Sequence, residues 1–383
     1  MGHVLSLVVI FFFLAMAVGG LVKGYEIQRY WYGFCILFSI AVAFWGFQMI
    51  PSIKLDVFRL QKLVEEMRET CVTLADAMDA REDDLYGSLV FFRFLCFLVS
   101  RTDNNQWLPF LSVLITFSMS SLLLINYLRS EGYTTRMILP SLALIFMGMQ
   151  IQYVFSGIRN PLAVTFAITS FYLVFYKKRH YWLAVPLYLA AVTTHSMVLI
   201  LLPVAAVCWL PKAHTIFRAI ALFSMPLIFL AADLLRKVPV EFLQSTARRV
   251  LYYLDRYFIY DRPEMIANIV VFVVLGVAYW MLKCFGSLPA QTKGWKTYMN
   301  AYYFLGCMMI GCSIRRDFAL RIGYLMGFAG VPVLCRMLRS RQNGRRRSES
   351  DRILLALVIM SVLICFAKVY YDTWYVFDHW QFN

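Results

Sequence analysis

Charge is scarce in this sequence. Only 15% of its 383 residues are Asp, Glu, Lys or Arg, against 61% hydrophobic residues and a mean hydropathy of +0.65. Such a chain has too little polar surface to face water all round, which excludes an ordinary soluble domain. Paired cysteines are also lacking. The nine cysteines (Cys35, Cys71, Cys96, Cys208, Cys284, Cys307, Cys312, Cys335 and Cys365) form no CxxC pair and mostly fall inside apolar windows, so they read as small buried hydrophobes. Absent too are a Walker loop, GxGxxG after a strand, HExxH, GxSxG and any Asp-x-Asp pair. No nucleotide, cofactor or metal is therefore expected.

What is present is a series of apolar windows, each near the roughly 20 residues that a helix needs to cross about 30 Å of hydrocarbon. They run Val4 to Leu21, Tyr30 to Ile50, Leu108 to Leu128, Met137 to Phe155, Leu162 to Tyr176 and Trp182 to Leu210. Ile216 to Leu235, Met265 to Phe285, Tyr298 to Cys312, Ile322 to Leu338 and Ile353 to Tyr370 follow. The expected fold is all-α, a single polytopic transmembrane helical bundle over 1–383 with about 10–12 membrane segments. The first window lacks a basic leader and reads as a retained span, not a signal peptide. The stretch Trp182 to Leu210 is too long for one span and too short for two. Thr193-Thr194-His195-Ser196 interrupts it, so two short helices should meet near His195, where a break needs protein or a wet cavity around it.

The net charge of +15 sits at span ends, which points to topology and anionic lipid, not nucleic acid. Placing Lys23 to Arg29, Arg129 to Arg136, Lys177 to Arg179, Lys212 to Arg218, Lys283 to Lys296 and the basic loop 339–352 in the cytoplasm satisfies the positive-inside rule, with both termini outside. Three polar segments are then extracytoplasmic: Pro51 to Trp107, Arg236 to Pro263 and Ser313 to Arg321. In the first, Leu60, Leu63, Val64, Met67, Cys71 and Leu74 repeat at helical spacing and predict an amphipathic helix. Leu85 to Ser100 reads as re-entrant or interfacial. In the second, Leu243, Ala247, Val250, Leu251, Leu254 and Phe258 form another apolar stripe beside Arg248, Arg249, Asp255 and Arg256.

The outer arginines ask for a reason. Arg159 lies in the polar break Ser156 to Pro161, and Arg315, Arg316 and Arg321 cluster with Asp317. One reading is a pocket for an anionic headgroup, since a guanidinium keeps its charge and its planar fork matches phosphate. The other is interfacial snorkelling with pairing to Asp317, Asp255 or Asp261. His195 alone among the histidines sits inside an apolar stretch; it suits general-base glycosyl transfer or a plain interhelical hydrogen bond.

Two motif blocks narrow the choice. Gly157-Ile158-Arg159-Asn160-Pro161-Leu162-Ala163, the basic Lys177-Lys178-Arg179 loop, and Leu189 through Thr193-Thr194-His195-Ser196 to Ile200 together resemble the signature of the EpsG family. Arg321-Ile322-Gly323-Tyr324-Leu325 with Pro332 is similar to that family's late Arg-x-x-x-Tyr span. Asp56-Val57-Phe58-Arg59 matches its early Asp-x-x-x-Tyr region loosely, and Asn160-Pro161 replaces the common Gln-Gly. The resemblance implies a glycosyltransferase of the Wzy, O-antigen polymerase type with a GT-C-like architecture. It would join undecaprenyl-diphosphate-linked oligosaccharides at the outer face of a bacterial inner membrane, beside a flippase and a chain-length regulator. It also implies His195 and Arg159 as catalytic and Arg321 as a contact for the diphosphate; Tyr324, Arg315, Arg316, Asp317, Asp56, Arg59, Arg249 and Arg256 complete the candidate substrate contacts. An O-antigen ligase-like transferase, a transporter of lipid-linked sugars and an assembly scaffold are the competing readings. The short Ser313 to Arg321 loop argues against a ligase, and charges gathered on one face argue against a transporter.

Overall fold

The computed structural model describes residues 29–50, 55–79, 89–133, 151–210, 214–256, 263–284, 293–338 and 381–382, with isolated positions between 137 and 149, at 288 and between 352 and 363. The window Val4 to Leu21 and most of Ile353 to Tyr370 lie outside the described residues, as does part of Met137 to Phe155. The chain divides into two compact units: Met1–Val174 with Arg179–Val198 and Trp374–Asn383, and Phe175–Lys178 with Leu199–Thr373.

The first unit is built on α1 (Arg29–Phe47) packed against α5 (Trp107–Ser130). Gly46 lets them approach closely, since a Cβ there would stand 3.2 Å from Val113. Phe44 meets Phe110 edge-on at 5.0 Å, and Phe47 meets Trp107 at 5.1 Å. After α1, a two-residue strand β1 (Met49–Ile50) pairs antiparallel with β2 (Gln381–Phe382). Beside α5 lie α6 (Ile151–Ser156) and α7 (Arg159–Phe171), the latter continued by a π-helical turn over Tyr172–Lys177. The side facing α7 carries Ser112 and Ser120, small residues that bring the backbones together while their hydroxyls find partners. Ser112 donates to the Ile158 carbonyl at 3.1 Å, Ser120 meets Thr165 at 3.4 Å and Tyr172 donates to Asn126 at 2.8 Å, so the two helices run parallel. Helix α8 (Tyr181–Thr194) returns antiparallel to α7, and Ser170 donates to the Ala184 carbonyl at 2.7 Å to fix their register.

Between α1 and α5 lies the expected amphipathic segment, folded as α2 (Asp56–Thr70), α3 (Leu74–Met78) and α4 (Val90–Ser100). Val57, Leu60, Val64 and Met67 are buried at helical spacing, whereas Leu74, counted in the same stripe from sequence, is exposed. Thr73 and Asp76 form a reciprocal capping box, and the backbone N–H of Thr73 holds the Asp76 carboxyl below the usual carboxylate range. A polar seam stitches α2 down. Arg68 donates to Asn105 at 2.6 Å, Asn105 donates to Glu65 at 2.7 Å, and Arg101 donates to the Met67 and Cys71 carbonyls at the end of α2, at 3.2 and 2.8 Å.

In the second unit, α9 (Leu201–Trp209), α10 (His214–Leu222), α11 (Ser224–Leu235) and α12 (Glu241–Arg256) precede three long helices, α13 (Pro263–Cys284), α14 (Lys293–Gly311) and α15 (Arg316–Leu338). Helix α14 runs antiparallel to α13, with Tyr303 donating to the Gly276 carbonyl and Tyr279 accepting from the Trp295 indole. The buried Arg336 guanidinium stacks over that same Trp295 at 4.6 Å. The window Ile216 to Leu235 is not one straight span; it bends by 79° between α10 and α11. Pro226 is the cause, because it cannot donate to Leu222 and its ring clashes with that carbonyl. Gly311 fills the notch, and a Cβ there would meet the Ala221 and Leu222 carbonyl oxygens at 2.6 Å.

Four described helices are long and apolar enough to cross a membrane (Tyr30–Phe47, Trp107–Ser130, Met265–Cys284 and Phe318–Leu338), or five if the bent pair is one span. The bend makes a prediction. Gly311→Ala should destabilise the second unit by about 2 kcal/mol through overpacking, read as a lower midpoint in thermal unfolding of the detergent-solubilised protein.

Candidate functional site

The break between α6 and α7 is a constrained turn. Ile158 stands at φ 24°, a positive value that a β-branched residue adopts only at a cost of roughly 1–3 kcal/mol. Two donors hold its carbonyl, the Ser112 hydroxyl at 3.1 Å and the Leu162 N–H at 3.3 Å. This turn begins α7 at Arg159, and Pro161 follows in the first turn, where its missing N–H costs nothing. The Asn160 side-chain oxygen is buried there without a hydrogen-bond partner among the described residues.

Arg159 is 15% exposed and reaches the Asp56 carboxylate at 3.8 Å, with its guanidinium 5.8 Å from the Phe92 ring centre. Asp56 opens α2 and is also paired with Arg59 at 3.5 Å. The structure thus gathers three sequence candidates from positions far apart in the chain. Two guanidiniums thus share one carboxylate. That partner differs from the Asp317, Asp255 and Asp261 pairing considered from sequence.

His195 occupies the expected break. Helix α8 stops at Thr194, His195 is extended, a 3₁₀ turn covers Ser196–Ile200 and α9 follows. From the Ser170–Ala184 hydrogen bond, Arg159 lies roughly eleven residues back along α7 and His195 roughly eleven further along α8, about 16 Å in each case at 1.5 Å per residue. The two residues are therefore level across the antiparallel pair. The Met197 N–H donates to His195 Nδ1 at 3.1 Å. That bond ties the imidazole to the backbone of the turn it interrupts. Tyr188 braces the turn by donating to the Val198 carbonyl at 3.1 Å. Neither Tyr188 nor Ser112 stood out in the sequence, because each acts through a backbone carbonyl that only the break exposes.

The remaining candidates belong to the second unit. Arg315 caps the turn before α15, while Arg321 and Tyr324, three residues apart, share a face of that helix; Arg321 is half-buried and Tyr324 buried. Arg316 and Asp317 open α15, and Arg249 and Arg256 fall in α12; their side chains lie outside the described residues. Among the described residues, no three His, Cys, Asp or Glu side chains gather as a metal ion would require.

Long apolar helices interrupted by buried polar turns define an all-α polytopic membrane protein. The chain belongs to the EpsG family, whose model matches residues 31–379, and with it comes a polysaccharide polymerase role of the glycosyltransferase kind. No curated protein and no solved structure matches the chain.

The brace at the break is testable. Tyr188→Phe should leave the Val198 carbonyl without its donor and cost about 1 kcal/mol, with faster hydrogen exchange confined to the amides around Met197.

Proposed function

We propose that the chain elongates a bacterial surface polysaccharide by moving a growing glycan from its polyprenyl diphosphate carrier to a lipid-linked acceptor repeat, at the outer face of the cytoplasmic membrane. The observation that carries this reading is the half-buried Arg159, which begins α7 on a constrained turn and reaches the Asp56 carboxylate at 3.8 Å, in the same unit as His195. In the transfer, the bond from the anomeric carbon to the diphosphate oxygen breaks and the acceptor hydroxyl oxygen takes its place. Negative charge grows on the departing diphosphate. A fixed guanidinium aimed at that charge lowers the barrier without reorganising, because its position is set before the substrate arrives. Arg59 adds charge at the rim, where its exposure leaves it screened and suited to attracting the carrier. No nucleotide sugar is needed, since the carrier diphosphate is itself the leaving group. A flippase delivering the repeats and a regulator of chain length are the partners this chemistry calls for.

Arg159→Ala should leave the protein at its normal membrane level and reduce polymerisation by about 10²-fold, the scale of losing one preorganised charge donor, so that cells carry single-repeat glycans. Gel ladders of surface glycan from complemented deletion cells measure it, and a normal ladder would refute the assignment. Orientation is checked separately: a reporter fused after Arg159 should read extracytoplasmic and one after Arg179 cytoplasmic.

A further inference from the structure

Arginine is among the costliest side chains to place inside a span, and Arg218 stands two residues within the apolar window Ile216 to Leu235. It lies on α10, half-buried against α14. Its guanidinium donates to the Asn300 side-chain oxygen at 2.9 Å and sits 4.8 Å from the Tyr303 ring centre. Both partners are neutral. The Arg218 Nε–H is buried with no acceptor, and among the described residues no carboxylate forms an ion pair with Arg218. A buried cation in that state is costly until an anion completes it.

Snorkelling to the rim does not account for the arrangement. Lys296, Asn300, Tyr303 and Cys307 share one face of α14, exposed at Lys296 and half-buried beyond it, while Met299, Tyr302 and Phe304 between them are buried. Asn300 is about 6 Å further along the helix than Lys296 at 1.5 Å per residue, and Tyr303 is further still. Arg218 pairs with these two inner residues, so its guanidinium stays among the helices. Tyr303 in turn donates to the Gly276 carbonyl of α13, and α10 and α13 both pack on α14. The partly open face of α14 is therefore the floor of a groove between them. Leu222, one turn after Arg218 on α10, and Val277 and Trp280 on α13 are exposed and apolar. The segments 212–218 and 283–300, which meet at this end, hold Lys and Arg but no Asp or Glu.

We propose that this groove is a binding site for an anionic phospholipid, with its phosphate on Arg218 and Lys296 and an acyl chain along Leu222 and Val277. Charge complementarity selects the occupant, since two cations with no described carboxylate call for an anion, and the apolar walls call for one that carries hydrocarbon. The planar guanidinium fork matches two phosphate oxygens, and Lys296 is a point charge at the rim where a headgroup enters. With the basic ends in the cytoplasm, as the charge distribution of the sequence predicts, the lipid comes from the inner leaflet. Once bound, its phosphate ties α10, the first arm of the bent pair, to α14.

The test follows thermal unfolding of the full-length protein in detergent micelles while phosphatidylglycerol, phosphatidylcholine or inorganic phosphate is titrated in. Phosphatidylglycerol should raise the midpoint saturably. Phosphatidylcholine, which has no net charge, and inorganic phosphate, which has no acyl chain, should not. Arg218→Gln, which keeps an amide donor for Asn300, should raise the half-saturating phosphatidylglycerol concentration by at least about 10-fold, the scale of a lost charge-assisted hydrogen bond. Lys296→Gln should raise it by about 5-fold, the loss expected for one cation near a lipid surface. Lys296 is exposed on α14, so this variant decides the matter even where Arg218→Gln fails to accumulate. Lys237→Gln, which removes an exposed cation paired with Asp233, should leave the response unchanged. An equal response to phosphatidylcholine would overturn the proposal, as would a wild-type response in Lys296→Gln or in a folded Arg218→Gln. A matching response to inorganic phosphate would overturn it in favour of a soluble anion, and a loss in Lys237→Gln equal to that in Lys296→Gln would reduce it to bulk charge.

Discussion

In hydrocarbon, a backbone N–H or C=O without a partner costs several kcal/mol, and this single constraint decides where the helices of this chain are allowed to stop. Three breaks illustrate it. At Ile158 the exposed carbonyl is met by the Ser112 hydroxyl and the Leu162 N–H. At His195 the imidazole takes the Met197 N–H and Tyr188 supplies the Val198 carbonyl. At Phe223 the residue's own N–H turns back to the Ile220 carbonyl at 2.9 Å, and Gly311 admits the bent backbone. Each solution needs one polar or small side chain from a neighbouring helix or turn. The two breaks in the first unit also present Arg159 and His195, so the groups able to do chemistry stand where the backbone had to be repaired.

Much of this plan is legible in the order of the residues. The polar Thr193-Thr194-His195-Ser196 run inside an overlong apolar stretch marks a broken helix, because three hydroxyls and an imidazole cannot all face lipid. The α2 stripe is equally readable, since Val57, Leu60, Val64 and Met67 keep helical spacing against a charged opposite face. The bend at Phe223 was available in principle from Pro226, yet a window average treats proline as one more apolar residue, and the break disappears into the mean. What could not be read is long-range pairing. Asp56 and Arg159 meet because a seam of Arg68, Asn105 and Arg101 ties α2 to the start of α5, and none of those contacts leaves a periodic trace. The Met197–His195 bond is hidden for the same reason, as it depends on the path of the backbone two residues later.

The strength of the Asp56–Arg159 pair decides what it can be for. At 3.8 Å, two unit charges attract by about 4 kcal/mol at an effective dielectric near 20, and by about 1 kcal/mol in water. Asp56 is nearly half exposed, so the net value lies toward the lower figure. That is enough to help orient a half-buried guanidinium. It is too little to resist a diphosphate, which brings more than one negative charge and several oxygens able to form short bonds to the same fork. A tighter pair would exclude the substrate, and with no counter-ion Arg159 would carry the penalty of an unneutralised charge beside Phe92 and Ile158. For the proposed function, an exchangeable carboxylate satisfies both demands.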